Sequence, residues 1–224
     1  MLTFVQPAAL RSMDIGSIYS LLSKYLAPSA KHDKITTAPI FQRITSIVNS
    51  IIRLRRDLAT PMLPHLGLVL RQLILSLREC RPQLASKQKE MVMSTQPQWI
   101  CSSQSLGVDE ARALSRVLES LTTKTIARVH GTQSETQKAE SLATPFAKHA
   151  PYVLKAYIEA MNDPLCVLSL EVRKELHSGL YALCSLIGEH NRDALTVSSL
   201  DAGGKTTIKA LRKEYEKQRY VGKG

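Results

Sequence analysis

Almost everywhere along the chain, apolar residues recur at helical spacing, and strand-like alternation is hard to find. A helix turns once in 3.6 residues, so this spacing gathers the apolar side chains on one stripe that another helix must cover. The sequence therefore predicts an all-α fold.

The stretch TAPIFQRITSIVNSIIRLRRDL opens with Thr37 as a capping residue and Pro39 in the first turn, and sets Ile40, Ile44, Ile47, Val48, Ile51 and Leu58 on one side. Pro61 and Pro64 start a second helix, with Leu66, Val69, Leu70, Leu73, Ile74 and Leu77 as its apolar face. Only a few residues separate the two, which predicts an antiparallel pair. A third helix starts at Asp109 and carries Ala113, Leu114, Val117, Leu118, Leu121 and Ile126. Pro145 or Pro151 opens a fourth, with Val153, Leu154, Tyr157, Ile158 and Met161 apolar until Asn162-Asp163-Pro164 stops it. The next aligns Val172, Leu176, Leu180, Leu183, Cys184 and Ile187, and Gly188 is expected to end it. A short helix near 189–198 and a final one from Asp201 complete the chain. Such a succession predicts stacked antiparallel helix pairs, an α-solenoid of the HEAT or armadillo kind, although no clean fixed-period motif is present.

Two stretches lose the periodicity. Residues 81–107 collect Gln, Ser, Pro and Lys and read as a long connection or surface loop; residues 131–141, GTQSETQKAES, read as a polar linker. They divide the chain into a helical part at 1–130, the linker at 131–141 and a helical part at 142–224, expected to form one continuous helical domain.

A chain of 224 residues buries roughly 70–75% of its unfolded surface, and 44% hydrophobic with 22% charged residues is a globular composition. Cys80, Cys101, Cys166 and Cys184 are far apart, with no C-x-x-C pair and no histidine at metal spacing. They read as buried or free thiols in a reducing compartment, and no metal or cofactor is expected. The opening MLTFVQPAALRSMDIG lacks the basic and apolar regions of a secretory signal. The most apolar stretch, PMLPHLGLVLRQLILSL, is interrupted by prolines and Arg71 and falls short of the roughly 20 residues of a membrane span. These features predict a soluble intracellular protein with no membrane partner.

Net charge is +11, and it is unevenly placed: residues 201–224 hold seven Lys/Arg against three Asp/Glu, whereas residues 131–200 hold six against eight. Such a balance is compatible with nucleic-acid association, because lysine and arginine displace the counterions condensed on phosphates.

The last segment contains Gly203-Gly204-Lys205-Thr206-Thr207, which raises the question of a nucleotide-binding loop. That loop needs a further glycine five positions before Gly204, where this chain has Ser199, and a parallel sheet to precede it. ALTVSSL is the only β-branched apolar run nearby, and nothing supplies sister strands. The chain is therefore not expected to be an NTPase. Asp201 is instead expected to cap a helix, Gly203 and Gly204 to sit in its first turn or admit a neighbouring helix, and Ile208, Leu211 and Tyr215 to form its packed face.

On that helix Lys205, Lys209, Lys213 and Lys217 fall at steps of four, and each like-charged pair of this kind costs an isolated helix about 0.2–0.5 kcal/mol. Either the ridge is a solvated face, or Lys205, Lys209, Arg212, Lys213, Lys217 and Arg219 face RNA phosphate or an acidic partner, without base readout. His149, His177 and His190 assemble into no catalytic constellation and read as solvated or core histidines. Arg53, Arg55, Arg56 and Asp57 read as capping the end of a helix, Tyr215 and Tyr220 as packing residues.

Three segments then carry a family resemblance: SLATPFAKHAPYVLKAYIEAM, LSLEVRKELHSGLYALCSLIGEHNRDAL and SLDAGGKTTIKALRKEYEKQRYVGKG. Lys148-His149 after Phe146, Val172-Arg173, Gly179-Leu180-Tyr181-Ala182-Leu183, Leu200-Asp201-Ala202-Gly203 and the basic tail around Tyr215 resemble the C-terminal domain of the unhealthy ribosome biogenesis protein two family. The likeness is closest over residues 142–224 and looser over 38–130. It implies a nucleolar, non-enzymatic helical scaffold in early precursors of the large ribosomal subunit, required for pre-ribosomal RNA processing. Implied partners are preribosome assembly factors including a DEAD-box helicase, and pre-ribosomal RNA through phosphate; no cofactor or small-molecule substrate is implied. Members of that family are several times longer, so the sequence corresponds to a C-terminal piece or to a truncated gene model. The competing expectation is a general α-solenoid adaptor unrelated to ribosomes.

Overall fold

The computed structural model describes residues 9–31, 38–101, 104–124, 140–188 and 200–221. Thr37, Ile126, most of the 131–141 linker, the ALTVSSL run up to Ser199 and the short helix expected near 189–198 lie outside the described residues, as do His190 and the side chain of Tyr220.

The fold is all-α with packed helix pairs, as the apolar stripes predict. Its helices are α1 (Ser12–Tyr25), α2 (Ala38–Leu54), α3 (Arg56–Ala59), α4 (Leu63–Ser76), α5 (Ser86–Met93), α6 (Val108–Ser120), α7 (Ala143–Phe146), α8 (Ala150–Asn162), α9 (Leu170–Leu186) and α10 (Ala202–Val221). A 3-10 turn, Thr60–Met62, joins α3 to α4, and two short strands, β1 (Glu79–Cys80) and β2 (Cys166–Val167), pair antiparallel. Helix α1 was not expected, although Ile15, Tyr19 and Leu22, at steps of four and three, are all buried.

Contacts that advance together along two helices show that the helices run the same way. Gly67 meets His149, Arg71 pairs with Glu159 and Arg78 with Asp163, so α4 and α8 are parallel neighbours. Arg112 pairs with Glu175, and one turn later Ser115 meets Ser178 and Gly179, so α6 and α9 are another such pair. Gln42 bonds Glu110 and Arg56 bonds the Thr123 carbonyl, placing α2 beside α6. Ile158 lies against Gly204, and Thr207 bonds Asn162, which sets α8 beside α10. The helices thus fall into two layers, one running α1, α3–α4, α8, α10 and the other α2, α6, α9. Between the layers α9 and α10 run in opposite directions, with His177 and Tyr181 near Glu214 and Cys184 near Arg212. One apolar cluster runs through the stack from Leu10 to Leu211.

The expected antiparallel pairing of the first two long helices is corrected. Their principal partners are α6 and α8, because α3, the 3-10 turn and α4 form one helical run, Arg56–Ser76, which Arg55 alone joins to α2. Helix axes pack 8–10 Å apart and a residue spans at most about 3.6 Å, so this connection is too short to lay the two side by side.

The 81–107 segment is more than a surface loop. It carries α5 and buries Val92, Trp99, Ile100 and Leu106. Trp99 Nε1 donates to the Tyr25 carbonyl (2.8 Å), and Gln96 Nε2 donates to the Leu75 carbonyl (3.2 Å). A connection crossing between layers must satisfy its own buried polar groups, and these bonds satisfy the Trp99 and Gln96 N–H donors, while Gln96 Oε1 is buried without a partner among the described residues. Gly188 does not end α9 by a left-handed turn; the helix stops where Ile187 becomes extended. The helical run Arg56–Ser76 has 21 residues and the length and composition of a membrane span, longer than the sequence reading allowed. Its Leu66, Val69, Leu70, Leu73 and Ile74 are buried in the core between helices.

Candidate functional site

Helix α10 begins as the capping argument predicts. Asp201 Oδ1 accepts the Gly204 N–H at 2.7 Å, and the Asp201 carbonyl accepts the Lys205 N–H at 2.9 Å. The carboxylate thereby faces the positive end of the helix. An ideal Cβ on Gly204 would lie 3.1 Å from Ile158 Cγ2 and 3.2 Å from Leu200 Cβ, so glycine here lets α10 approach α8 closely.

This geometry bears on the nucleotide-loop question. The Gly204 N–H, which a phosphate would need, is already held by a carboxylate. The adjoining cleft, about 510 Å³, presents Glu159, Asp163 and Asp201 against Arg78 and Lys155, and both cations are paired with acids of the cleft. A triphosphate would meet net negative charge there. Among the described residues the strands are β1 and β2 only, with no parallel sheet.

Beyond the cap, Ile208 and Leu211 are buried and Tyr215 is half-buried, its ring centroid 5.9 Å from that of Tyr181. Tyr181 donates to Glu214 Oε2 (3.4 Å), and His177 Nδ1 lies 3.8 Å from the same oxygen. Burial first, and then the Glu214 carboxylate, push the Tyr181 phenol above its ordinary range. One flank of α10 is fastened by these contacts; the opposite flank is basic.

All six predicted cations lie on that helix. Lys209, Lys213, Lys217 and Arg219 are exposed, and Lys205 and Arg212 are half-buried. None of the six forms an ion pair among the described residues, although Glu214 and Glu216 share the helix. Successive lysines of the ridge stand about 6 Å apart along the axis, about 18 Å in all. Exposed Thr206, Ala210 and Gln218 lie among them, with no large exposed apolar side chain on α10 among the described residues.

The other candidates resolve into structural roles. His149 caps α8, packs on Phe146 with ring centroids 5.8 Å apart and holds its Nε2 buried without a hydrogen bond. Burial, and then the Lys148 charge, lower its pKa and favour the neutral ring. Arg55 chelates Asp57 (2.9 and 3.1 Å) and donates to the Leu10 carbonyl, while buried Arg56 reaches the Thr123 carbonyl at 3.1 Å. They tie α1, α2 and α6 together rather than form a ligand site. What sequence reasoning missed is the set of clamps between layer neighbours, Arg78–Asp163 at 2.9 Å and the two-pronged Arg112–Glu175 at 2.9 and 3.0 Å. Partners this far apart in sequence leave no periodic signal.

The model of the Urb2/Npa2 family matches residues 2–223. The chain belongs to the Urb2/Npa2 family. The match covers nearly the whole chain, so the likeness is not confined to the C-terminal third. No curated protein and no solved structure matches the chain. The Urb2/Npa2 family is a nucleolar ribosome-biogenesis family, not known as enzymatic, and its members associate with preribosome factors. Membership places this chain in ribosome biogenesis and in the nucleus.

Proposed function

We propose that this Urb2/Npa2-family chain is a non-enzymatic scaffold of early large-subunit preribosomes, holding pre-ribosomal RNA phosphate on the basic flank of α10. The observation that carries the reading is six cations on one anchored helix, none ion-paired among the described residues. Lysines at steps of four repel one another, and surrounding phosphates would relieve that repulsion while releasing counterions. RNA backbone fits this flank better than an acidic protein, because protein interfaces are anchored by large apolar side chains and this flank presents Thr206, Ala210 and Gln218. Contact with phosphate alone positions a scaffold without reading sequence. The family resemblance adds a DEAD-box helicase and other assembly factors as neighbours in the same particle.

Purification of tagged chain from cell extract, with sequencing of the bound RNA, tests this. Large-subunit precursor RNA and assembly factors are expected to co-purify. Charge-removing substitutions Lys209→Ala, Lys213→Ala and Lys217→Ala are expected to weaken RNA binding in vitro, each lowering the slope of log affinity against log salt by about 1. Co-purification of preribosome proteins that survives ribonuclease but is lost with the triple substitution would assign the flank to an acidic protein. Cytoplasmic fluorescence with no preribosomal components would support the general adaptor instead.

A further inference from the structure

Cys80 and Cys166 are far apart in sequence, yet β1 and β2 set them directly opposite each other. The register decides the type of pair. Arg81 N–H donates to the Leu165 carbonyl at 3.1 Å, which makes Arg81 and Leu165 a hydrogen-bonded pair and leaves Cys80 and Cys166, the next pair along, in the non-hydrogen-bonded position. Residues so placed have Cα atoms about 4.5 Å apart and side chains on the same face, within the range of roughly 4.4–6.8 Å that a disulfide spans. Neither cysteine is in a disulfide.

We propose that Cys80 and Cys166 are an oxidation site, closing to a cross-strand disulfide that covalently joins the end of α4 to the end of α8. These two helices are neighbours in one layer, and the residues between Cys80 and Cys166 include α5 and α6 of the stack. The bond would therefore stitch two successive levels of the scaffold. Half-exposed Cys80 is the entry point and buried Cys166 the resolving thiol. Hydrogen peroxide oxidises the Cys80 thiol to a sulfenic acid, its O–O bond accepting two electrons, one oxygen passing to sulfur and the other leaving as water. Cys166 sulfur then attacks the Cys80 sulfur, the S–S bond forms, and the displaced hydroxyl departs as water with the Cys166 proton.

The surroundings make the site slow rather than constitutive. Burial, followed by the hydrogen bond with Asp163, pushes the Cys166 thiol up to about 12, and burial raises Cys80 too. Thiolate is the attacking form, so the pair stays reduced under ordinary conditions and closes under sustained oxidation, faster as pH rises. Cys101 is the competitor, since it lines the same small cavity of about 120 Å³ as Cys80.

The test is oxidation of the full chain with hydrogen peroxide, followed by non-reducing peptide mapping and thermal unfolding. A Cys80–Cys166 linked peptide is expected, with Tm raised by roughly 5–15 °C, both reversed by dithiothreitol and both retained in Cys101→Ser. Cys80→Ser removes both changes. A Cys80–Cys101 link, a link between two chains, or oxidation that stops at sulfinic acid on Cys80 would overturn the proposal.

Discussion

Two helix seams in this molecule are each closed over a glycine, yet they differ in what the glycine touches. At the α6–α9 seam an ideal Cβ on Gly179 would lie 2.8 Å from Ser115 Cα and 2.9 Å from the Ser115 carbonyl oxygen, so backbone meets backbone. Ser115 Oγ accepts the Gly179 N–H at 2.8 Å and contacts Ser178 Oγ at 2.8 Å, and Arg112 grips Glu175 alongside. At the α8–α10 seam the neighbours of Gly204 are side chains, Ile158, Leu200 and the Asp201 cap, and the one polar cross-link among the described residues is an exposed Thr207–Asn162 bond. An interior helix such as α9 is packed against α6, α7, α8 and α10, whereas among the described residues the principal partners of α10 are α8 and α9. The difference teaches that a helix with fewer neighbours needs one adhesive flank, which leaves the other flank available for charge.

Emptying the core beside the tight seam should have the greatest effect. Leu180 is fully buried in α9, and Leu180→Ala is expected to cost about 2–5 kcal/mol by urea denaturation. A loss under 1 kcal/mol would mean that the seam relaxes freely. Overfilling comes next: Gly179→Ala is expected to cost about 1–3 kcal/mol despite the better helix propensity of alanine. Gly204→Ala should stay within about 1 kcal/mol of the parent, because Ile158 can shift and a backbone cannot. Equal costs at the two glycines would erase the distinction between the seams.

The cap is expected to matter less than the tight seam. Asp201→Ala should lower stability by about 1 kcal/mol and loosen the start of α10, measured by denaturation and by amide exchange at Gly204. A smaller pH effect comes from His149, whose folded-state pKa is lowered by burial. Below the unfolded value near 6.5 the unfolded chain takes up a proton that the native chain resists, so stability is full above that pH and falls as pH drops through the folded value. Denaturation midpoints at pH 7.5 and 5.5 should differ more for the parent than for His149→Phe; equal slopes would remove His149 from the account. The least change in stability is expected from the ridge itself, where Lys209→Ala with Lys213→Ala relieves repulsion by a few tenths of a kcal/mol. A marked loss of stability would mean that these lysines are structural.

Much of the candidate site could be read without coordinates. The Asp201 cap, the packed positions Ile208, Leu211 and Tyr215, and the lysine ridge all depend on residues within one or two turns of each other. The anchoring of α10 by Glu214 to Tyr181 and His177 could not, since the partners lie on another helix. The same divide runs through the fold. Helix boundaries near Asn162 and Asp201 follow from local stop and start signals, while Trp99 gave no periodic sign that it is buried against α1.

By itself the sequence determined that the chain is helical, which face of most helices is apolar, where α10 begins and how its charge is arranged, because each is set by chemistry between near neighbours along the chain. Only the tertiary structure decided that α4 lies beside α8, that Gly179 receives Ser115 and that Cys80 faces Cys166. Apolar stripes of similar width are interchangeable as patterns, and shape, clamp positions and connection length select among them once the chain is packed.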